Sequence, residues 1–475
     1  MKRVQNIKAI RCANSFKLKM VTLMILFFAH SGIKSQKEFD DIRGTQHWMQ
    51  FSDAPNSLYH YIAGQAYAYL DKRSAKIARI HSLPEWQQRQ EWIRNTLRRV
   101  VGPFPAKTAL HARVTQSINK DGYRLEDIIY ESQPGYFVTS SLFIPDKFKN
   151  AKGPVIIYCI GHTFSGYAAS QATLLNLVKK GFIVFAFDPM GQGERLQYYD
   201  PQTGKSRFKY PSYEHSYPGA QLFISGNTLA RDFIWDGIRA VDYLLTRKEV
   251  DPSRIGISGR SGGGTQSAYI AAFDDRIKAA APENYITNFT RLFQSMGPQD
   301  AEQDFFHGIG EGIDMADLLL VRAPKPTLII TTSRDMFPIQ GSLETAKEVS
   351  RIYKAYGKPS NFAMVSDDSP HASTKKNRES MYAFFQKTLN NPGDSADEEI
   401  HQVPKEELQV TSTGQIATAL KGESACSLNY KDAEKKMANL ETARKNMPGY
   451  FPELLRAAKK LSGYREPKEV HAPVF

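Results

Sequence analysis

The chain has 475 residues, 41% of them hydrophobic and 23% charged, the balance of an ordinary globular protein with a sizeable core. Its formal charge is +13, but seven of the excess charges (Lys2, Arg3, Lys8, Arg11, Lys17, Lys19, Lys34) fall in residues 1–35, leaving +6 for the rest. No dense Lys/Arg stripe remains, which argues against a nucleic-acid partner.

Residues 1–35 read as a signal peptide. A basic start precedes the apolar run Met20–Ala29, and Ala29-His30-Ser31 fits a small-residue cleavage site. The run is too short to span a bilayer, so no stable membrane span is expected after cleavage and the mature chain is expected to be secreted or periplasmic. Cys12 precedes the run and is not placed as a lipoprotein cysteine. Cys159 lies in an apolar segment and is expected as a buried free thiol. Nothing in the sequence supports a disulfide between Cys159 and Cys426. No paired Cys or His spacing suggests a structural metal, so the metal expectation is none.

Residues 36–109 have helical character, with Trp92, Leu97, Val100 and Val101 on an apolar face and Gly102-Pro103 as a stop. Tyr123–Tyr130 and Tyr136–Ile144 follow as two half-alternating strands. Continuous apolar strands then alternate with helices. The strands are Pro154–Ile160, Phe182–Phe187, Arg254–Ser258, Ile277–Ala281, Pro326–Thr332 and Asn361–Val365. Such runs mean a mainly parallel sheet covered on both faces. The layout over residues 110–392 predicts the α/β-hydrolase fold, with eight strands. Residues 393–475 read as a linker (Asn391–Asp397), a short strand at Leu408–Thr411 and further helices. The segment Leu454–Gly463 is similar to Ile93–Gly102, and each is followed by a proline and a His-Ala pair. The C-terminal extension is therefore expected to hold the start of a second module.

Gly259-Arg260-Ser261-Gly262-Gly263 is a G-x-S-x-G nucleophile elbow in its required setting, after a strand and before a helix. A serine hydroxyl needs a base, and the base needs an orienting acid, which in this fold follow in the order Ser, acid, His. Asp335 falls just past the strand 326–332 and His371 just past the strand 361–365. Ser261, Asp335 and His371 are thus the expected catalytic residues, with Asp367 and Asp368 as competitors for the acid. The Gly262 amide supplies half of an oxyanion hole, and the amide of His162 or Thr163, in the loop after the strand 154–160, supplies the other half. The dense tyrosines after Arg195, among them Tyr198, Tyr199 and Tyr213, offer flat surfaces for sugar stacking. His215, Asp300 and Glu302 are expected beside the substrate. Asp188–Arg195 contains Gly-x-Gly but opens no helix, so it reads as a turn and not a nucleotide loop.

Residues 110–392 resemble secreted bacterial α/β-hydrolases of the acetylxylan-esterase-like type, related at a distance to cephalosporin-C deacetylases. The resemblance rests on Glu214-His215…Gly219-Ala220-Gln221, on Asp232–Leu244, on the elbow continued by Gly264, and on Gly297–Gln303. It implies a serine carboxylesterase that needs no cofactor and acts on an acylated carbohydrate, with acetyl groups of plant polysaccharide as the substrate. Two other readings compete: a prolyl-oligopeptidase-type serine peptidase, which shares the triad order, and an inactive carbohydrate-binding module on the same fold. The acyl group, the sugar and the oligomeric state stay open.

Overall fold

The computed structural model describes residues 53–466. The expected signal peptide lies outside the described residues. The chain divides after Gln65 into two compact units. Of the first, a short turn at Ala54–Asn56 and the start of helix α1 (Ser57–Ala78) are described.

The second unit is built on a nine-stranded sheet. The strands are β1 (Arg113–Lys120), β2 (Tyr123–Gln133), β3 (Tyr136–Pro145), β4 (Gly153–Cys159), β5 (Ile183–Phe187), β6 (Val250–Arg260), β7 (Ala279–Glu283), β8 (Thr327–Arg334) and β9 (Phe362–Pro370). Their spatial order is β1-β2-β3-β5-β4-β6-β7-β8-β9. The first three pair antiparallel, β3 meets β5 antiparallel, and β4 to β9 run parallel. This is the mainly parallel α/β-hydrolase sheet that the apolar runs predict, with one strand more at the edge. That strand, β1, is polar and largely exposed, so it lacks the apolar signature that identifies the other eight.

Alternate side chains of the central strands feed two different cores, as the pleat requires. Val155, Ile157 and Cys159 of β4 join Ile183, Phe185 and Phe187 of β5 in one. Ile156 and Tyr158 join Val184 and Ala186 in the other. Cys159 is buried and free, as expected; Cys426 is also free.

Helix α2 (Leu83–Val101) begins at a capping box, Ser82 with Glu85, and buries Trp86, Ile93, Leu97, Val100 and Val101. These pack with Ile234, Trp235, Leu319 and Ile352, so the core extends across residue 110. Ala268 and Tyr269 of helix α3 (Gly262–Phe273), the helix that leaves β6, belong to the same core. Burying one large apolar side chain of this kind is worth about 1.5–3 kcal/mol. A buried ion network ties the N-terminal helices down. Arg73 holds Asp317 at 2.6 Å and Glu348 at 2.6 Å, and Arg89 holds Asp317 at 2.7 Å.

The chain that follows the expected linker (Asn391–Asp397) is likewise built into the core. Val403, Leu408 and Val410 pack with Leu174, Phe182 and Tyr382. Asp397 accepts from Arg378 Nη2 and, at 3.0 Å, from the Tyr382 hydroxyl. Leu408–Thr411 is a turn and extended chain rather than a strand, because its amides serve a carboxylate: Glu194 accepts from Val410 N (2.6 Å), Thr411 N (2.8 Å) and the Thr411 hydroxyl. Helices α4 (Ala425–Arg444) and α5 (Met447–Ser462) come next, as the helical composition predicts. The expected repeat does not extend to backbone geometry. Gly102 leaves α2 at φ 86°, ψ 177°, whereas Gly463 leaves α5 at φ 65°, ψ 18°, so the two turns send the chain along different paths.

Candidate active site

Strand β6 ends at Arg260 and helix α3 starts two residues later. Between them Ser261 has φ 60°, ψ −124°, a strained conformation for a side-chain-bearing residue. The turn is held on both sides: Ser261 N donates to Glu283 O at 3.0 Å, and Thr265 N donates to Ser261 O at 3.0 Å. It closes this tightly only with glycines around it. A Cβ on Gly259 would lie 2.4 Å from the Cys159 carbonyl oxygen, and one on Gly263 would lie 2.2 Å from it.

Parallel pairing of β8 with β9 brings their C-terminal ends together, with Thr332 opposite Asp367 and Arg334 opposite Pro370. Asp335 and His371 therefore leave the sheet side by side. His371 Nδ1 is 2.7 Å from Asp335 Oδ1. Asp335 is almost wholly buried and also accepts from Phe337 N (3.1 Å) and the Thr332 hydroxyl (3.0 Å). A carboxylate surrounded by donors only accepts, so His371 Nδ1 carries the proton and Nε2 is free to take one. The two competing aspartates turn elsewhere. Asp368 accepts from the Ser333 hydroxyl (2.5 Å) and Arg334 Nε (3.0 Å), and Asp367 accepts from Asp368 N.

Ser261 and His371 line one cavity of about 510 Å³, together with Gly161, His162, Thr163, Tyr210, Asp300 and Phe337. The loop after β4 packs directly on the elbow: a Cβ on Gly161 would lie 3.1 Å from Ser261 Cβ, and one on Gly262 would lie 3.0 Å from His162 Cε1. Gly161 O accepts from Gln192 Nε2 at 2.7 Å, which ties this loop to the turn after β5. That turn is organised by Asp188, which accepts from Tyr167 N, Glu194 N and the Thr139 hydroxyl. Burial pushes the Asp188 carboxyl up to about 7 despite these bonds.

The expected substrate residues divide. Asp300 lines the cavity. His215 and Glu302 stand behind it, both buried, and join His162 in one cluster. His162 Nε2 is 2.7 Å from Glu302 Oε1, 3.1 Å from His215 Nδ1 and 3.5 Å from Asp300 Oδ2. Burial lowers the His162 pKa, but the adjacent Glu302 charge outweighs it and the net shift is upward. Glu302 is opposed by burial yet held well below the usual carboxylate range by His215 and His162. The three tyrosines are a correction. Tyr198, Tyr199 and Tyr213 are not among the residues lining this cavity. Tyr198 and Tyr213 pack around Phe208 and Tyr217 at ring separations of 4.7–6.3 Å, so most of this aromatic insertion packs on itself. Tyr210, from the same insertion, does reach the cavity, as do Met336 and Phe337 beside Asp335. Their position directly after the candidate acid was the available signal.

Among the described residues no helix is long and apolar enough to cross a membrane. Residues 95–307 match the acetyl xylan esterase family model, and residues 224–392 match that of the prolyl oligopeptidase family. A candidate hydrolase of Bacillus subtilis is 23% identical over 320 residues, covering 62% of this chain and 98% of that protein. Among solved structures, a methylesterase superposes with a TM-score of 0.59 at 21% identity, covering 78% of this chain and 81% of that one. A candidate acetyl xylan esterase from Bacteroides fragilis gives 0.53 at 18% identity, covering 66% and 82%. The nine-stranded sheet and these matches make the chain an α/β-hydrolase and a carboxylic ester hydrolase, similar to acetyl xylan esterases over residues 95–307.

Proposed function

We propose that the protein is a secreted serine esterase that removes acetyl groups from plant cell-wall polysaccharide through an acyl-enzyme. The observation that carries this is the His371–Asp335 contact at 2.7 Å, in a cavity shared by His371 and the strained Ser261. Ser261 Oγ attacks the ester carbonyl carbon and its proton passes to His371 Nε2. The oxyanion accepts from Gly262 N–H and from an amide of the His162–Thr163 loop. As the tetrahedral intermediate collapses, His371 returns the proton to the departing sugar oxygen. A water then gives a proton to His371, attacks the acyl carbon and releases acetate with Ser261 restored. Asp335 stays ionised and holds the imidazole in orientation. The basic start and apolar run of residues 1–35 support export.

Acetate release from a panel of acetylated polysaccharides tests this reading. Turnover with wild type and none with a folded Ser261→Ala chain is the expected result; equal turnover by the two would reject it. The peptidase reading is favoured only by the match over residues 224–392. Comparing an acetyl ester with a prolyl peptide amide separates the two, and preferential cleavage of the amide would replace the esterase reading.

A further inference from the structure

We infer that His162, His215 and Glu302 form a binding site for a zinc-like divalent cation behind the candidate oxyanion loop, with Asp300 as a fourth ligand on the cavity side. Their ligand atoms already face one another. His162 Nε2 and His215 Nδ1 are 3.1 Å apart, His162 Nε2 and Glu302 Oε1 2.7 Å, and His215 Nδ1 and Glu302 Oε2 3.2 Å. Ligands around a tetrahedral zinc, at roughly 2.0–2.1 Å from the metal, are separated by about 3.3 Å. The two histidines face different oxygens of Glu302; with one ligand atom taken from each residue, all three lie within 4.8 Å of one another, a cluster that side-chain rotation alone can draw onto the face of such a tetrahedron.

Proton bookkeeping points the same way. His215 Nε2 lies 2.8 Å from the Met190 carbonyl oxygen. A carbonyl only accepts, so Nε2 carries a proton, and Nδ1 is the ring atom turned toward the cluster. This is the arrangement in which an outer hydrogen bond fixes the tautomer of a metal-binding histidine. A proton on His162 Nε2 serves Glu302 Oε1. Glu302 Oε2 has only the 3.2 Å approach of His215 Nδ1 and makes no well-formed hydrogen bond, on a residue 1% exposed. A cation at the centre would satisfy that oxygen and both ring nitrogens at once.

Two imidazole nitrogens with carboxylate oxygens suit zinc and related transition ions rather than calcium or magnesium, which take oxygen ligands. Entry is from the active-site cavity, because the His162 and Asp300 side chains are part-exposed there while His215 and Glu302 are closed off. The bound ion would fix the ring of the residue that packs against Gly262. That consequence for the oxyanion loop rests on the esterase reading; the site itself does not.

The test uses the full chain without an affinity tag, stripped with a chelator and titrated with cobalt(II). One equivalent should bind with the intense visible bands of a four-coordinate ion, and zinc should displace it. Six-coordinate bands, or no stoichiometric uptake by the folded wild-type chain, would overturn the proposal. Substituting His162→Ala, at the least buried of the three ligands, should weaken binding by about 100-fold or more with the fold retained by circular dichroism. Unchanged affinity in that variant would place the ion elsewhere and overturn it too. Glu302→Gln should lose binding in parallel. Ser261→Ala should bind cobalt normally, so metal uptake and ester turnover fail independently.

Discussion

His371 and His162 both border the cavity that holds Ser261, but their ring nitrogens are engaged differently. His371 uses Nδ1 on a single carboxylate, Asp335, and leaves Nε2 toward the cavity without a strong partner. His162 commits Nε2 to Glu302, His215 and Asp300. A base that must accept and return a proton needs one nitrogen free, and a positioning group needs its nitrogen tied. On the proposed esterase reading, proton transfer falls to the side of the cavity formed by β8 and β9, and geometric support to the side formed by the β4 loop.

The largest expected effect comes from the proposed nucleophile. Ser261→Ala should lower kcat for an acetyl ester by on the order of 10⁴–10⁶-fold, with the melting temperature little changed because alanine keeps the Cβ and the same backbone conformation. Asp335→Asn should cost roughly 10³–10⁴-fold in kcat with KM little altered, because the imidazole loses its tautomer. On the other side, Glu302→Gln should cost about 10–100-fold, through loss of loop placement rather than of a proton acceptor, and without moving the pH profile of kcat. A loss as large as that of Asp335→Asn, or a shifted profile, would erase the distinction between the two histidines.

A smaller effect concerns stability. Glu283 lies beneath the elbow, accepts from the Ser373 hydroxyl at 3.1 Å and leaves Oε1 without a partner. Burial pushes it up to about 7, from an ordinary value near 4.5. Between those values the folded chain keeps a proton that the unfolded chain has released. Stability from this group is therefore highest below about pH 4.5, falls as pH rises toward 7 and levels off above. Glu283→Gln should flatten the decline in melting temperature between pH 5 and 8, and an unchanged slope would show that the carboxyl is not protonated there.

The chemistry of the site was legible where local pattern and chemistry coincide. The elbow is a contiguous turn, and Asp335 and His371 each directly follow an apolar strand, so chain order alone pointed to three residues, of which two touch at 2.7 Å and two share one cavity. The metal-like cluster was not legible, since His162 is 53 positions from His215 and 140 from Glu302. No spacing rule links residues that only the sheet and a loop bring together. Strand β1 was missed because an edge strand with a solvated face carries polar residues such as Thr115, Gln116 and Asn119. The packing of the chain beyond the expected linker (Asn391–Asp397) was hidden for a related reason. A few anchors, Val403, Leu408 and Val410, hold a polar segment that lacks the density of a core element.

That segment also determines how the molecule could be shortened or extended. Glu194 ends the turn organised by Asp188, the turn whose Gln192 secures Gly161. Its carboxylate is satisfied entirely by Val410 and Thr411. Cutting the chain at residue 392 would strip three donors from a buried anion two residues away from the contact that steadies the oxyanion loop. Residues late in the chain thus brace a turn made early in it, and a truncation that spares every residue lining the cavity would still remove that brace.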